Sequence, residues 1–435
     1  MTTAMGAALR RIQLGNALSA FGNGFTIPYL FVYVSQVRNL GASTAGVVLA
    51  TLAVAALLVL PLTGRVIDRR GPLPVAIAGT VSAAVGSLGL GFADSKVLVV
   101  AAAAALGAGF AVIQPALATM IVWCSTPTTR SRAFAMQFFL NNLGLGIGGL
   151  LGGQLVDPSN ASSFVRLFAI ESAMFLVLGV AVATVRLPKA PRLGDVVPAG
   201  EGAKGGWRSL LGDRAMVQLC VLGFVMFFAC YGQFESGLAA FAVEVTRISP
   251  ATLGIALAAN TAAIVLTQFA VLRLVDGRRR SRVVALVGLI WTVAWIAAGV
   301  SGLVPGAHGV ATALLISTYA LFGIGESMLA PTVAPLVADL APARLVGQYN
   351  SAFALVKQLA MAVGPAVGGL MAGGGMYGAY IVLLIVCALG ITALALRLGR
   401  RLTPEQDNPR LLARRSEPVA GSAAAPAPVA CSASH

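Results

Sequence analysis

Apolar residues in this chain neither alternate nor form one face of amphipathic helices. They come in long, almost unbroken runs. A helix that crosses a bilayer needs roughly 20 mainly apolar residues, and twelve runs qualify: Ile12–Val37, Thr44–Thr63, Val75–Ala93, Val97–Trp123, Ala133–Val156, Phe164–Val185, Ala215–Val243, Ala251–Leu272, Val283–Val300, Val310–Val337, Gly347–Met371 and Met376–Leu396. Each predicts a spanning helix, so the fold class is an all-α membrane protein. The first run follows Arg10 and Arg11 like a signal peptide, but it is longer than an h-region of about 7–15 residues, so it reads as a helix.

The polar breaks between runs carry a repeat. GRVIDRRGPLP, Gly64 to Pro74, places Arg65, Asp68, Arg69 and Arg70 between two apolar runs and predicts a loop at the membrane surface, with Gly64, Gly71 and Pro72 permitting a tight turn. RVID returns as RLVD, ending at Asp276. Inside the runs, Gly107 and Gly109 with Pro115 return 216 residues later as Gly323 and Gly325 with Pro331. Gly148, Gly149, Gly152 and Gly153 return at the same offset as Gly364, Pro365, Gly368 and Gly369. One offset in two helix pairs predicts two parallel six-helix halves. Their expected bounds are 1–185 and 215–396, joined by a linker over 186–214, with a disordered tail over 397–435.

Composition agrees with a bilayer environment. The 435 residues are 58% hydrophobic and 10% charged, where a soluble domain has about 25% charged residues. A net charge of +15 is compatible with a nucleic-acid partner, but its distribution excludes that reading. Twenty-five Lys and Arg fall in the termini and even-numbered linkers, and only Arg38, Lys96, Arg166 and Arg247 fall on the other side. By the positive-inside rule both termini are cytoplasmic, and the expected location is the inner (plasma) membrane. Five cysteines show neither metal spacing nor a disulfide framework, and no phosphate-binding loop or catalytic arrangement occurs. No cofactor is expected, and the expected state is a monomer.

These residues resemble the major facilitator superfamily. GRVIDRRG is similar to that family's loop between helices 2 and 3, with the weaker copy between helices 8 and 9. The GGxxGG of helix 5 and GPxxGG of helix 11 resemble the glycine motif of its proton-coupled antiporters, although here the proline is in helix 11 and Gly149 takes its place in helix 5. Helix 4 has Ala103 where family members often carry an arginine. YGQFESGL in helix 7 and GIGESMLAP in helix 10 resemble twelve-helix bacterial drug:proton antiporters. The resemblance implies alternating access, with helices 1, 4, 7 and 10 lining a cavity.

Four ionisable residues lie inside runs: Glu171, Glu235, Glu326 and Lys357. Each costs about 2.5–3.5 kcal/mol at a helix centre on insertion scales, which makes them functional candidates. Glu235 has no basic neighbour along its helix and suits a proton-coupling role, alone or shared with Glu326. Glu326 and Lys357, in helices that are neighbours in the fold resembled, suit an intramembrane ion pair. Glu171 reads as structural, snorkelling toward Arg166. Asp68, with Arg69, Arg70, Gly64 and Gly71, and its counterpart Asp276, read as a gate. Asp68 could accept a facing helix N-terminus or an arginine across the halves. Asn23, Phe25, Tyr29, Gln114, Gln137, Asn141, Tyr231, Gln233, Asn260 and Phe322 are candidate cavity residues.

The expected function is proton-coupled efflux of amphipathic small molecules, with the proton as coupling ion. Three intramembrane glutamates against one lysine favour that over a metabolite or sugar carrier, symporter or uniporter, of the same fold. The third possibility is a membrane sensor that transports nothing.

Overall fold

The computed structural model describes residues 2–157, 160–188, 206–234, 236–304 and 306–410. Twelve helices are long and apolar enough to span: α1 (Gly6–Val37), α2 (Ala42–Arg70), α3 (Pro72–Phe92), α4 (Lys96–Trp123), α5 (Arg130–Leu155), α6 (Ala161–Ala183), α7 (Arg214–Glu244), α8 (Thr252–Val275), α9 (Arg280–Ser301), α10 (His308–Leu340), α11 (Val346–Gly373) and α12 (Tyr377–Arg401). No strand occurs among the described residues. In hydrocarbon every backbone group must bond internally, which leaves helices as the solution for such runs.

The helices form two halves, each with its own apolar core. One core joins α1 through α6 around Tyr33, Phe164, Phe168 and Phe175. The other joins α7 through α12 around Trp291, Trp295, Tyr319 and Tyr380. The repeat is visible in their packing. Gly107 of α4 lies against the Leu52 backbone of α2, and Gly109 lies against Ala83 of α3. Gly323 of α10 lies against Asn260 of α8, and Gly325 lies against Trp291 of α9.

An expected loop and the start of the expected disordered tail are helical instead. α2 does not stop at Thr63 but runs to Arg70, so Gly64, Arg65 and Asp68 occupy its last turns. Arg69 and Arg70 favour this, because cations stabilise a helix C-terminus. The reversal needs only Gly71, whose φ of 88° is open to glycine, followed by Pro72 at the start of α3. The chain beyond position 397 is likewise ordered as far as residue 410. α12 continues to Arg401, and a helical turn at Pro404–Asp407 follows, with a Thr403–Gln406 capping box. Positions 411–435 and linker positions 189–205 lie outside the described residues. The described end of the linker forms a short helix, Trp207–Gly212, whose Trp207 indole donates to the Pro61 carbonyl of α2 at 3.2 Å.

Candidate functional site

Three spanning helices are interrupted, and the interruptions shape the site. α1 breaks at a 3-10 turn over Ile27–Tyr29 that contains Pro28. α7 breaks after Ala229, with a 3-10 turn over Tyr231–Gln233. α10 breaks between Leu329 and Val333, around Pro331. A freed carbonyl in the membrane must find another donor. Gln233, fully buried, supplies it: its amide donates to Phe228 O at 2.9 Å and Gly364 O at 3.2 Å, and its oxygen accepts from Tyr380 at 3.1 Å. Gln233 therefore splints the α7 break rather than lining a cavity.

Between the halves lies a cavity of about 420 Å³, bounded by α1, α4, α5, α7, α10 and α11. Of the ten cavity candidates, Gln114, Gln137, Asn141 and Tyr231 are on its wall. The other expected positions have different work. Phe25 and Tyr29 pack against Gly152 of α5, and the Tyr29 hydroxyl donates to Gly149 O at 3.3 Å. Asn23 is buried beside Thr26, which donates to its carbonyl at 3.4 Å. Phe322 is enclosed by Trp291, Trp295 and Phe234. Asn260 lies behind the wall and holds Glu326. Wall residues that periodicity did not single out are Phe138, Asn350 and Phe353. Their only advance signal is a place on helices 5 and 11, which also carry Gln137 and Lys357.

Glu326 and Lys357 both line this cavity but are not in ion-pair contact. Glu326 is buried and accepts from the Asn260 amide at 2.8 Å, with the Tyr231 hydroxyl facing the same carboxylate. Lys357 turns to the aromatic side, its Nζ 5.1 Å from the centre of the Phe227 ring. The expected contact pair is corrected to two groups that attract across the cavity without touching, because Asn260 and Tyr231 hold Glu326 and the Phe227 ring holds Lys357.

Glu171 is corrected too. It does not reach toward exposed Arg166 but is buried within the first half. Its Oε2 accepts from Ser87 of α3 at 2.5 Å, and its backbone abuts Gly22 of α1. Glu235 lies outside the described residues.

The end of the bundle that bears most of the basic residues is bridged by polar contacts between the halves. Asp68 of α2 accepts from the free amides of Gly347 at 2.7 Å and Gln348 at 3.1 Å, the N-terminus of α11. Gly64 allows the approach, since a Cβ there would lie 2.6 Å from the Gln348 Cα. Asp339, at the end of α10, pairs with Arg130 of α5 and, at 2.5 Å, with Arg280 of α9. Arg280 also donates to Ser131 Oγ of α5 at 3.1 Å. This buried triad was not anticipated, since Asp339 falls two residues past the tenth run. Asp276 pairs with Arg410, which also donates to the Thr128 carbonyl of the first half. Arg69 and Arg70 are exposed.

The glycine motif is a packing surface. Gly148 of α5 meets the Phe21 carbonyl of α1, and Gly364 of α11 meets Gly232 at the α7 break. Gly368 lies against Gln233, while Gly153 touches the Tyr29 hydroxyl. Gly369 faces open space, and Pro365 is exposed on α11.

Two six-helix halves around a largely apolar cavity with a few polar groups have the architecture of a membrane transporter, and the family model agrees. The model of the Major Facilitator Superfamily matches residues 12–249 and 236–430, so the chain belongs to that superfamily and is a multi-pass membrane protein. It is 25% identical over 379 residues to the MFS-type transporter YdeE of Escherichia coli K12, across 84% of this chain and 90% of that one. Among solved structures it is similar to the human organic anion transporter MFSD10, with a TM-score of 0.68 and 17% identity, covering 91% of this chain and 98% of that one. It is also similar to the E. coli fucose:proton symporter FucP, with a TM-score of 0.71 and 14% identity over 91% and 99%. At these identities the structural likenesses carry the fold alone.

Proposed function

We propose that the chain is a proton-coupled exporter of amphipathic small molecules, working by alternating access as a monomer in the plasma membrane with both termini in the cytoplasm. The observation that carries this reading is one buried carboxyl, Glu326, at the wall of a cavity that both halves build. The wall is mostly aromatic and aliphatic, with a few amides, which suits an apolar body with polar attachments. Glu326 takes and gives up the coupling proton, and Asn260 with Tyr231 orients it. Glu235, three residues beyond the Gly232 break of α7, is the second candidate for this role. The orientation rests on the basic tally of twenty-five against four. The contacts of Asp68 and of the Asp339 triad serve as the cytoplasmic gate.

The amide-rich part of the wall, Gln114, Gln137, Asn141 and Asn142, supports a second reading, a carrier of hydroxyl-rich metabolites. A growth screen of an overexpressing strain against toxic compounds would supply a substrate, and proteoliposomes would then separate the readings. Efflux reading requires protons to move opposite to substrate. Glu326→Gln keeps the shape but cannot release a proton. It should abolish uphill movement driven by a pH gradient while sparing substrate-for-substrate exchange. Full uphill transport by the variant removes Glu326 from the proton path and passes the role to Glu235, tested by the same substitution. Substrate and proton moving in the same direction rejects export.

A further inference from the structure

Counting along the sequence sets three intramembrane acids against one base, but the structure distributes them differently. Glu171 is sealed between α1, α3 and α6, away from the cavity. Among the described residues, the cavity wall carries one charge of each sign, Glu326 and Lys357. These two are not equally available. Glu326 is only 3% exposed and is already engaged by Asn260. Lys357 is open to the cavity and has no hydrogen-bond or ion-pair partner among the described residues; the Phe227 ring lies against it, and the Glu326 carboxylate attracts it without contact.

We propose that Lys357 is the anion anchor of the cavity, and that the substrates are small amphipathic compounds bearing one carboxylate beside an aryl or branched apolar body. This rests on the transport reading of the same cavity. A free ammonium in a mid-membrane cavity is a strong site for an anion, because the surrounding protein dielectric weakens the charge far less than bulk water does. The surfaces on either side fit the rest of such a molecule. Phe227 tilts against Tyr231 at 5.2 Å and meets Phe353 edge-on at 6.1 Å, which makes an aromatic corner beside the ammonium. Asn141 and Asn142 spend a donor or acceptor on other protein groups, Asn141 accepting from Asn16 at 3.1 Å and Asn142 donating to Phe138 O at 2.9 Å. Their remaining N–H donors are neutral and can add to the anion's coordination, but bind it more weakly than the ammonium does. Glu326, held nearby, repels a second anionic group and so limits the ligand to one.

Three matched probes test this on the purified full chain in detergent: 4-phenylbutyrate, 4-phenylbutanamide and 4-phenylbutylamine, with affinities read by calorimetry. The carboxylate should bind at least about tenfold more tightly than the amide, a difference of about 1.4 kcal/mol, and the amine should bind no better than the amide. Lys357→Gln should collapse the carboxylate-to-amide ratio to about one, and Lys357→Arg should restore most of it, which a merely structural role would not do. Equal binding of amide and carboxylate, an amine preference, a ratio that survives Lys357→Gln, or no binding of any probe up to millimolar concentration overturns the anchor. The assay uses no gradient, so its failure is separate from a failure of proton coupling. A carboxylate preference without coupled transport would reject the exporter and keep the anchor.

Discussion

Asp68 sets one carboxylate against two backbone amides that α11 cannot satisfy within itself, those of Gly347 and Gln348. The first amides of any helix are free, and they carry about half a positive charge. An asparagine at this position keeps the size but loses the charge and turns a donor toward a donor. A contact between a carboxylate and a helix N-terminus is worth about 0.3–1 kcal/mol, and up to ~2 when partly buried. The upper figure alone changes a two-state ratio by roughly thirtyfold. Asp68→Asn should therefore fold and insert normally, shift the population toward a conformation open at the basic end, and slow transport severely. Spin labels at exposed Arg69 and Arg344, on opposite halves, should report a longer distance in the variant. An unchanged distance distribution with a wild-type transport rate would leave Asp68 without a gating role. The residue itself was legible from the repeated RVID, and so was a helix N-terminus as one of its two possible partners. The Asp339 triad was not legible, because Arg130, Arg280 and Asp339 come from three segments with no shared spacing, and only the docking of α5 on α9 and α10 brings them together. The same limit explains the missed environment of Glu171: five residues along a helix suggested Arg166, but the partner that counts, Ser87, arrives from another helix.

Helix length and number follow from apolar runs alone, since a bilayer leaves little choice. What the runs do not fix is how closely the helices approach. Gly148 of α5 is the tightest case, for a Cβ there would lie 2.1 Å from the Phe21 carbonyl oxygen of α1. Gly369 of α11 belongs to the same motif in the other half and would meet nothing within 4 Å. The motif as written in sequence treats the two alike, but packing does not. Gly148→Ala should push α5 off α1 and destabilise the protein by about 1–3 kcal/mol, the usual cost of overpacking. Gly369→Ala should stay within about 0.5 kcal/mol of the parent, as substitutions away from packed features do. Thermal unfolding in detergent compares them directly, and equal melting temperatures would show that α5 yields freely. Apolar runs also conceal where a helix is interrupted. Gln233 looked like a polar cavity residue because it is an amide in an apolar run. Its burial under Tyr380 and its bonds to Phe228 and Gly364 show that such an amide can be consumed in repairing a helix break.

At the scale of the whole molecule, the segment after α12 ties the basic end together. Asp407 has no exposed surface and accepts from Arg279 Nε at 2.6 Å, Ser281 N at 2.8 Å and Ser281 Oγ at 2.7 Å. It thus caps the start of α9 within the second half. Asn408 donates to the carbonyls of Asp276 and Arg278 at 3.4 and 2.7 Å and fixes the turn between α8 and α9. Arg410 then crosses to the first half, pairing with Asp276 while donating to the Thr128 carbonyl between α4 and α5. Any motion that opens the basic end must break the Arg410 contact to Thr128 but can leave the Asp407 cap whole. The two links therefore separate by experiment. A chain ending at Leu402 loses both. It should show a wider distance distribution between labels at Thr129 and Ala343 and a lower melting temperature. Arg410→Gln removes the crossing and the partly exposed pair with Asp276 but leaves the Asp407 cap whole, so it should widen the distances with little loss of melting temperature. Asp407→Asn leaves Arg279 and two Ser281 donors without their carboxylate, a cost of several kcal/mol for a buried, charge-bonded group. It should lower the melting temperature most among the single substitutions. If Arg410→Gln and the shortened chain both keep the parent distances, the segment is a clip for the second half alone, and the gate rests on Asp68 and the Asp339 triad.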